Sequence, residues 1–199
     1  MNTPAPIKHL LLLLAATSLV ACSTMRATDA GFLTDRHAMT FSGDGSTGHY
    51  RSQIAIDPRQ IQSSSVQWAT SETAGFSGQE KDQLVATLRD ELSSQFRDLP
   101  AVTNGRAVIL RAAVTRVEAV SPALNTVSTI LLFAPMDRGG AAVEIEMLDA
   151  HTGRPLASYA TAYYAPMSEF KARFSRLAPA EFVLKKAAAE FVQLARSGV

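Results

Sequence analysis

The sequence predicts an α+β domain in which a mostly antiparallel sheet carries two helices packed on one face, in the order β-α-β-β-β-α. Three observations lead there. Two segments, "RAVILRAAV" (106–114) and "VEIEM" (143–147), alternate their side chains with the two-residue period of a half-buried strand. Two others, 77–96 and 179–195, repeat apolar residues every three to four positions, as a helix with one buried stripe does. Such an order of strands and helices packs most simply as one sheet with its helices on a single face.

Taken in order, "YRSQIAID" (50–57) reads as the first strand, with Pro58 ending or bending it. "IQSSSVQW" (61–68) is a second short strand or an edge extension. Ser77, followed three residues later by Glu80, is a capping box ahead of Leu84, Val85, Leu88, Leu92 and Phe96. In the next strand Val108, Leu110, Ala112 and Val114 point one way, and Ile109, Arg111, Ala113 and Thr115 the other. Val143, Ile145 and Met147 likewise oppose Glu144 and Glu146, and with Arg111 and Arg116 these carboxylates form a charged face expected to be ordinary solvated sheet. "DAHTGR" (149–154) then turns the chain into "PLASYATAYY" (155–164), making a hairpin. Pro179 opens the last helix, Glu181 sits in its first turn, and Leu184, Ala187, Ala188, Phe191, Leu194 and Ala195 form its buried stripe.

The N-terminus has a different logic. Lys8 is the only Lys, Arg, Asp or Glu before Arg26, and the apolar run from Leu10 to Ala21 is too short for the roughly 20 residues a membrane-crossing helix needs. This is the layout of a signal peptide, residues 1–21. Leu19-Val20-Ala21-Cys22 resembles a bacterial lipobox, with cleavage between Ala21 and Cys22 and lipidation of Cys22, the only cysteine of the chain. Diacylglycerol on its sulfur and a fatty acid such as palmitate on its nitrogen give a stable anchor, since each buried methylene contributes about 0.8 kcal/mol. By the sorting rule of enteric lipoproteins, Ser23 rather than Asp after the cysteine directs the protein to the outer membrane, on its periplasmic face. Residues 22–49 then read as the lipidated Cys and a flexible tether, with "GFL" (31–33) docking back on the body, and 50–199 as the single α+β domain. Lys and Arg number 19 against 18 Asp and Glu, and loss of Lys8 makes the two equal. Neither a nucleic-acid footprint nor a polybasic membrane patch is expected from that balance.

Several of these segments together resemble a known family. "GFLTD" (31–35), "YRSQIAIDP" (50–58), the long stretch from Val108 to Pro135, the paired Gly139 and Gly140 before "AAVEIEMLDAHTG", and the closing helix are similar to small bacterial lipoproteins catalogued as domain of unknown function 3313. The resemblance spans nearly everything after Cys22. The familiar form of the first motif is closer to "GFLsDYs", whereas here Arg36 and His37 follow Asp35. The resemblance implies export, lipidation and an α+β domain, and carries over no catalytic residues.

Catalytic patterns are weak. "DGSTG" (44–48) approaches the G-x-S-x-G elbow around Ser46, but Asp44 replaces the first glycine and no apolar strand and helix flank it. His37, His49 and His151 lack ligand spacing, so neither a metal nor a cofactor is expected. The most informative internal stretch is "ALNTVSTILLFAPM" (123–136), inserted between two strands that a short turn could join. Its apolar residues Leu124, Val127, Ile130, Leu131, Leu132 and Phe133 leave three readings open: a helix folded onto the core, a contact surface for an envelope protein or a second copy, or a membrane contact. The function expected is that of a noncatalytic, lipid-anchored accessory module; the alternative is a hydrolase acting at the membrane surface.

Overall fold

A computed structural model describes residues 24–69 and 75–197. The expected signal peptide and Cys22 lie outside the described residues. Six strands form one sheet: β1 (Thr40–Phe41), β2 (Thr47–Arg51), β3 (Ile56–Trp68), β4 (Arg106–Glu118), β5 (Gly140–Asp149) and β6 (Pro155–Tyr164). Their order across the sheet is β1-β2-β6-β5-β4-β3. Helix α1 (Gly78–Arg97) links β3 to β4, α2 (Pro122–Leu132) links β4 to β5, and α3 (Ala178–Arg196) closes the chain after a kinked 3-10 segment, Met167–Phe174. The sheet is mostly antiparallel, as expected, but mixed, because β3 runs parallel to β4, and α2 and the 3-10 segment add to the two helices expected. A helical crossover returns the chain in the same direction, which is the geometry a strand-helix-strand unit adopts.

The elements follow their local chemistry. The Ser77 hydroxyl accepts the Glu80 N–H and the Glu80 carboxylate accepts the Ser77 N–H, so the capping box forms as its sequence spacing requires. Leu84, Leu88, Leu92 and Phe96 of α1 meet Leu184, Ala188 and Phe191 of α3 over one face of the sheet, where Val108, Leu110, Val143, Ile145 and Met147 complete the core. Pro58 does not end its strand. It sits inside β3, whose pairing with β4 shifts register between Ile56 and Ser63, a place on an edge strand where a missing N–H is tolerated.

The opposite face is where expectation and structure part. Glu144 and Glu146 are 1% and 0% exposed, not solvated, because residues 24–36 run across them in parallel with β5. This segment is no tether. Met25 packs on Ala142, Ala162 and Tyr164; Ala30 donates its N–H to Glu144 Oε1 (3.1 Å); Thr34 donates N–H and hydroxyl to the two oxygens of Glu146 (3.0 Å each). Each carboxylate also gains an arginine. Arg36 reaches Glu144 at 3.3 Å and Arg111 reaches Glu146 at 3.4 Å, while Arg116 pairs instead with Glu118 at 2.8 Å. Both buried pairs are roofed by an aromatic ring: Arg36 lies 4.7 Å from the centre of Phe41, and Arg111 lies 4.8 Å from that of Phe32 and donates to the Phe32 carbonyl. Ala113 and Ala160 flank Glu144, and Gly48 lies beyond Ala160; these small residues leave room for the layer, and a Cβ on Gly48 would strike the Phe41 ring. Residues 40–49, also assigned to the tether, belong to β1, its turn and β2, which extend the sheet beside β6, and the expected first strand 50–57 is divided between the end of β2 and the start of β3.

Burial raises the Glu144 carboxyl above its usual value of 4.5, against the pull of the Ala30 N–H and the Arg36 guanidinium. Just above that value the folded form therefore retains a proton that the unfolded chain has released, so this group stabilises the fold below about 4.5 and loses that contribution as pH rises through its folded value. Glu144→Gln should accordingly flatten the fall of melting temperature with rising pH above that value, measured by thermal unfolding from acid to neutral pH. A second expectation concerns the paired glycines. A Cβ on Gly140 would collide with the Tyr163 carbonyl, and one on Gly139 would stand 2.8 Å from both Pro179 and Val120. Gly140→Ala should cost about 1–3 kcal/mol in denaturant unfolding, as overpacking against backbone does.

Candidate functional site

Helix α2 is assembled with its polar side inward. The Ser121 hydroxyl caps it by accepting the Leu124 N–H, and Pro122 occupies the first turn, where no N–H is needed. Among its eleven residues the buried ones are Asn125 and Ser128. Asn125 donates to the carbonyls of Arg173 (2.7 Å) and Asp137 (3.2 Å), and its own carbonyl accepts the Asp137 N–H (2.7 Å). Ser128 accepts the Met136 N–H. These bonds fasten α2 to the 3-10 segment and to its own return loop.

The apolar side faces out. Leu124 and Val127 are about half exposed, Ile130, Leu131 and Leu132 more so, and Phe133 is 92% exposed. Met136 in the return loop and Met167 and Phe170 in the 3-10 segment are exposed as well. All six candidate residues from the sequence thus lie on one exposed element, and of the three readings a helix folded onto the core does not fit this exposure. Burying each such side chain would stabilise a fold by about 1.5–3 kcal/mol, a gain the isolated domain forgoes several times over. Phe133 adds a backbone oddity. It ends the helix in the left-handed region, at φ 56°, a position that favours glycine or asparagine.

Other candidates are more ordinary. An apolar cleft of about 200 Å³ lies at the far end of the sheet, lined by Ile56, Pro58, Phe96, Leu99, Pro100 and Val102. On the helix-covered face, Glu190 of α3 accepts hydrogen bonds from Tyr159 (2.6 Å), Tyr163 (2.8 Å) and Lys186 (2.7 Å). Burial would raise the Glu190 carboxyl, but these three donors outweigh it and hold it below its usual value. Burial, reinforced by the bond to Glu190, pushes the Tyr159 hydroxyl well above its own. The cluster pins α3 to β6, and period-two reading of β6 missed it because its partners come from a helix 27 and 31 residues away. Ser46 sits in the exposed turn between β1 and β2, where its N–H and hydroxyl both bond Asp44. The Ser42 hydroxyl and those two bonds draw the Asp44 carboxyl down to about 2. A strand-to-strand turn of this kind lacks the strand-to-helix strain that makes an elbow serine a nucleophile. His37, His49 and His151 are exposed and apart, and among the described residues no cluster of three His, Cys, Asp or Glu side chains could hold a metal ion. Among those residues, too, no helix is long and apolar enough to cross a membrane.

Compared with known proteins, residues 28–191 match the family model described as protein of unknown function, DUF3313. The chain belongs to that family. The match begins inside the segment that covers Glu144 and ends within α3, so the N-terminal layer is part of what defines a DUF3313 domain. Curated proteins give no match. Solved structures that overlay in part include a PelC dodecamer from Paraburkholderia phytofirmans, at 13% identity and a TM-score of 0.44 over 75% of this chain and 98% of that one. A DUF330 protein from Xanthomonas campestris overlays at 15% identity and 0.36, over 70% and 87% of the two chains. A minor lipoprotein from Acinetobacter baumannii does so at 11% and 0.23, over 64% and 88%.

The inverted helix predicts an inverted mutational pattern. Asn125→Ala strands the Asp137 N–H and two carbonyls and should cost about 1–3 kcal/mol. Phe133→Gly removes a large aromatic side chain yet suits the backbone, and should shift stability by less than about 1 kcal/mol. Chemical denaturation of the two variants beside the parent checks this directly.

Proposed function

We propose that this DUF3313 protein is a lipoprotein of the bacterial envelope, anchored through acylated Cys22 on the periplasmic face of the outer membrane, and that it works by contact rather than by catalysis. The observation that carries the contact reading is the outward apolar side of α2: six large apolar side chains on one short element, with the polar side bonded inward. The leucine run and the lipobox before Cys22 support the anchor, and Ser23 supports the outer membrane as its destination. An envelope partner, including a second copy of the chain, is the kind of occupant such an accessory module requires. The exposed, elbow-free setting of Ser46 weighs against the hydrolase alternative.

The test has two arms. Cys22→Ser should abolish metabolic acyl labelling and leave an unprocessed or mislocalised chain; normal labelling and membrane fractionation of that variant would overturn the anchor. Leu132→Ser should keep the parent's stability within about 0.5 kcal/mol while losing its in-cell crosslinks. Unchanged crosslinks in that variant would overturn α2 as a protein-contact surface.

A further inference from the structure

We infer that the surface α2 meets is the lipid bilayer that holds the protein's own anchor, and that the exposed helix lies flat in its headgroup layer. This rests on the lipoprotein reading of Cys22 and names the occupant of the contact surface. The decisive observation is where the described chain starts. Residues 25–34 run from Ala142 toward Glu146, so their N-terminal end points to the edge of the sheet where β4 ends, β5 begins and β6 ends. Helix α2 connects β4 to β5 at that same edge, and the 3-10 segment with Met167 and Phe170 follows β6 there. Met25 is fixed against Ala142, Ala162 and Tyr164, and only Ser23 and Thr24 separate it from Cys22, a reach of about 11 Å at full extension. Acyl chains on Cys22 would therefore draw this end of the molecule, and no other, onto the membrane.

The surface offered at that end suits a bilayer. An amphipathic helix lying in the interface buries its apolar side about 5–10 Å into the headgroup and acyl boundary, and α2, at eleven residues, is too short to do anything deeper. Tyr164, with Arg138 stacked 5.0 Å from its ring, stands beside Met25, a pairing of aromatic and basic groups at home in the headgroup layer. Exposed Arg138 and Lys171 are matched nearby by Asp137 and Glu169, so adhesion rests on apolar area and should not need anionic lipid. The apolar cleft at Phe96 and Leu99 would then face away from the membrane.

The test uses the full-length acylated protein reconstituted into vesicles of phosphatidylethanolamine, with and without phosphatidylglycerol. Because acylation consumes the Cys22 thiol, one new cysteine, Phe133→Cys or Thr103→Cys in the distal loop, can carry a polarity-sensitive fluorophore. Intact mass confirms acylation first; a chain without acyl mass would overturn the lipoprotein reading and this inference with it. With acylation present, the inference expects the dye at 133 to shift to the blue and lose emission to nitroxide-labelled lipid in both vesicle types, while the dye at 103 does neither. A dye at 133 that stays water-exposed would overturn it. So would a dye that is shielded but insensitive to nitroxide lipid and accompanied by a crosslinked dimer, which would give α2 to a second copy.

Discussion

Two carboxylates on the central strand β5 govern the architecture of this domain. Glu144 and Glu146 point away from the helices, into a face that would be wet if the sheet carried helices on one side and nothing on the other. Burying an unpaired carboxylate costs several kcal/mol, so whatever covers them must supply hydrogen bonds and opposite charge together. Residues 28–36 do both within a few positions. Backbone N–H groups at Ala30 and Thr34 come from an extended chain with no sheet partner of its own, and Arg36 and Arg111 bring the charge. The phenyl rings of Phe41 and Phe32 then cover the guanidinium groups. The "GFLTD" motif is thereby explained as the cover of a buried ionic layer, with Phe32 as a roof and Thr34 as a double donor.

That layer also sets the direction of the molecule. Because the covering segment must meet Glu144 before Glu146, it runs parallel to β5, and its start is fixed at the end of the sheet from which α2 projects. The start of the covering segment and the apolar helix share one end through the register of two glutamates with that segment, and not through any contact between them.

Much of this fold is legible in the sequence, and what escapes does so for definable reasons. The capping box at Ser77, the alternation through Val108 to Val114, the hairpin at Asp149 and the closing helix are local signals, and each element forms where its residues place it. The parallel pairing of β3 with β4 was implicit in their separation by a helix, although Pro58 and the register shifts beside it disguise β3 as two pieces. Period-two alternation distinguishes faces but does not say whether the polar one is wet, so buried Glu144 reads the same as a solvated glutamate. The covering segment has no period at all, because its bonds run from Thr28, Ala30 and Thr34 to side chains more than eighty residues away. Helix α2 is the sharpest case. An apolar stripe has one periodicity whether it turns toward the core or the solvent, and only the bonds of Asn125 to the Arg173 and Asp137 backbone fix which it is.

On the proposed lipoprotein reading, proximity accounts for the exposure of α2. An eleven-residue amphipathic helix has little affinity for a bilayer by itself, and helices of that length are marginal in water even as folded units. Here tertiary bonds preform it, so little ordering entropy would be lost when it settles, and an acylated Cys22, separated from Met25 by only two residues, would hold it beside the surface at an effective concentration that free protein would not reach. A patch too weak to recruit the protein is then strong enough to orient it. Acyl chains alone would anchor the domain yet let it swing about Cys22; the proposed contact at Phe133 and Leu131 would remove that freedom.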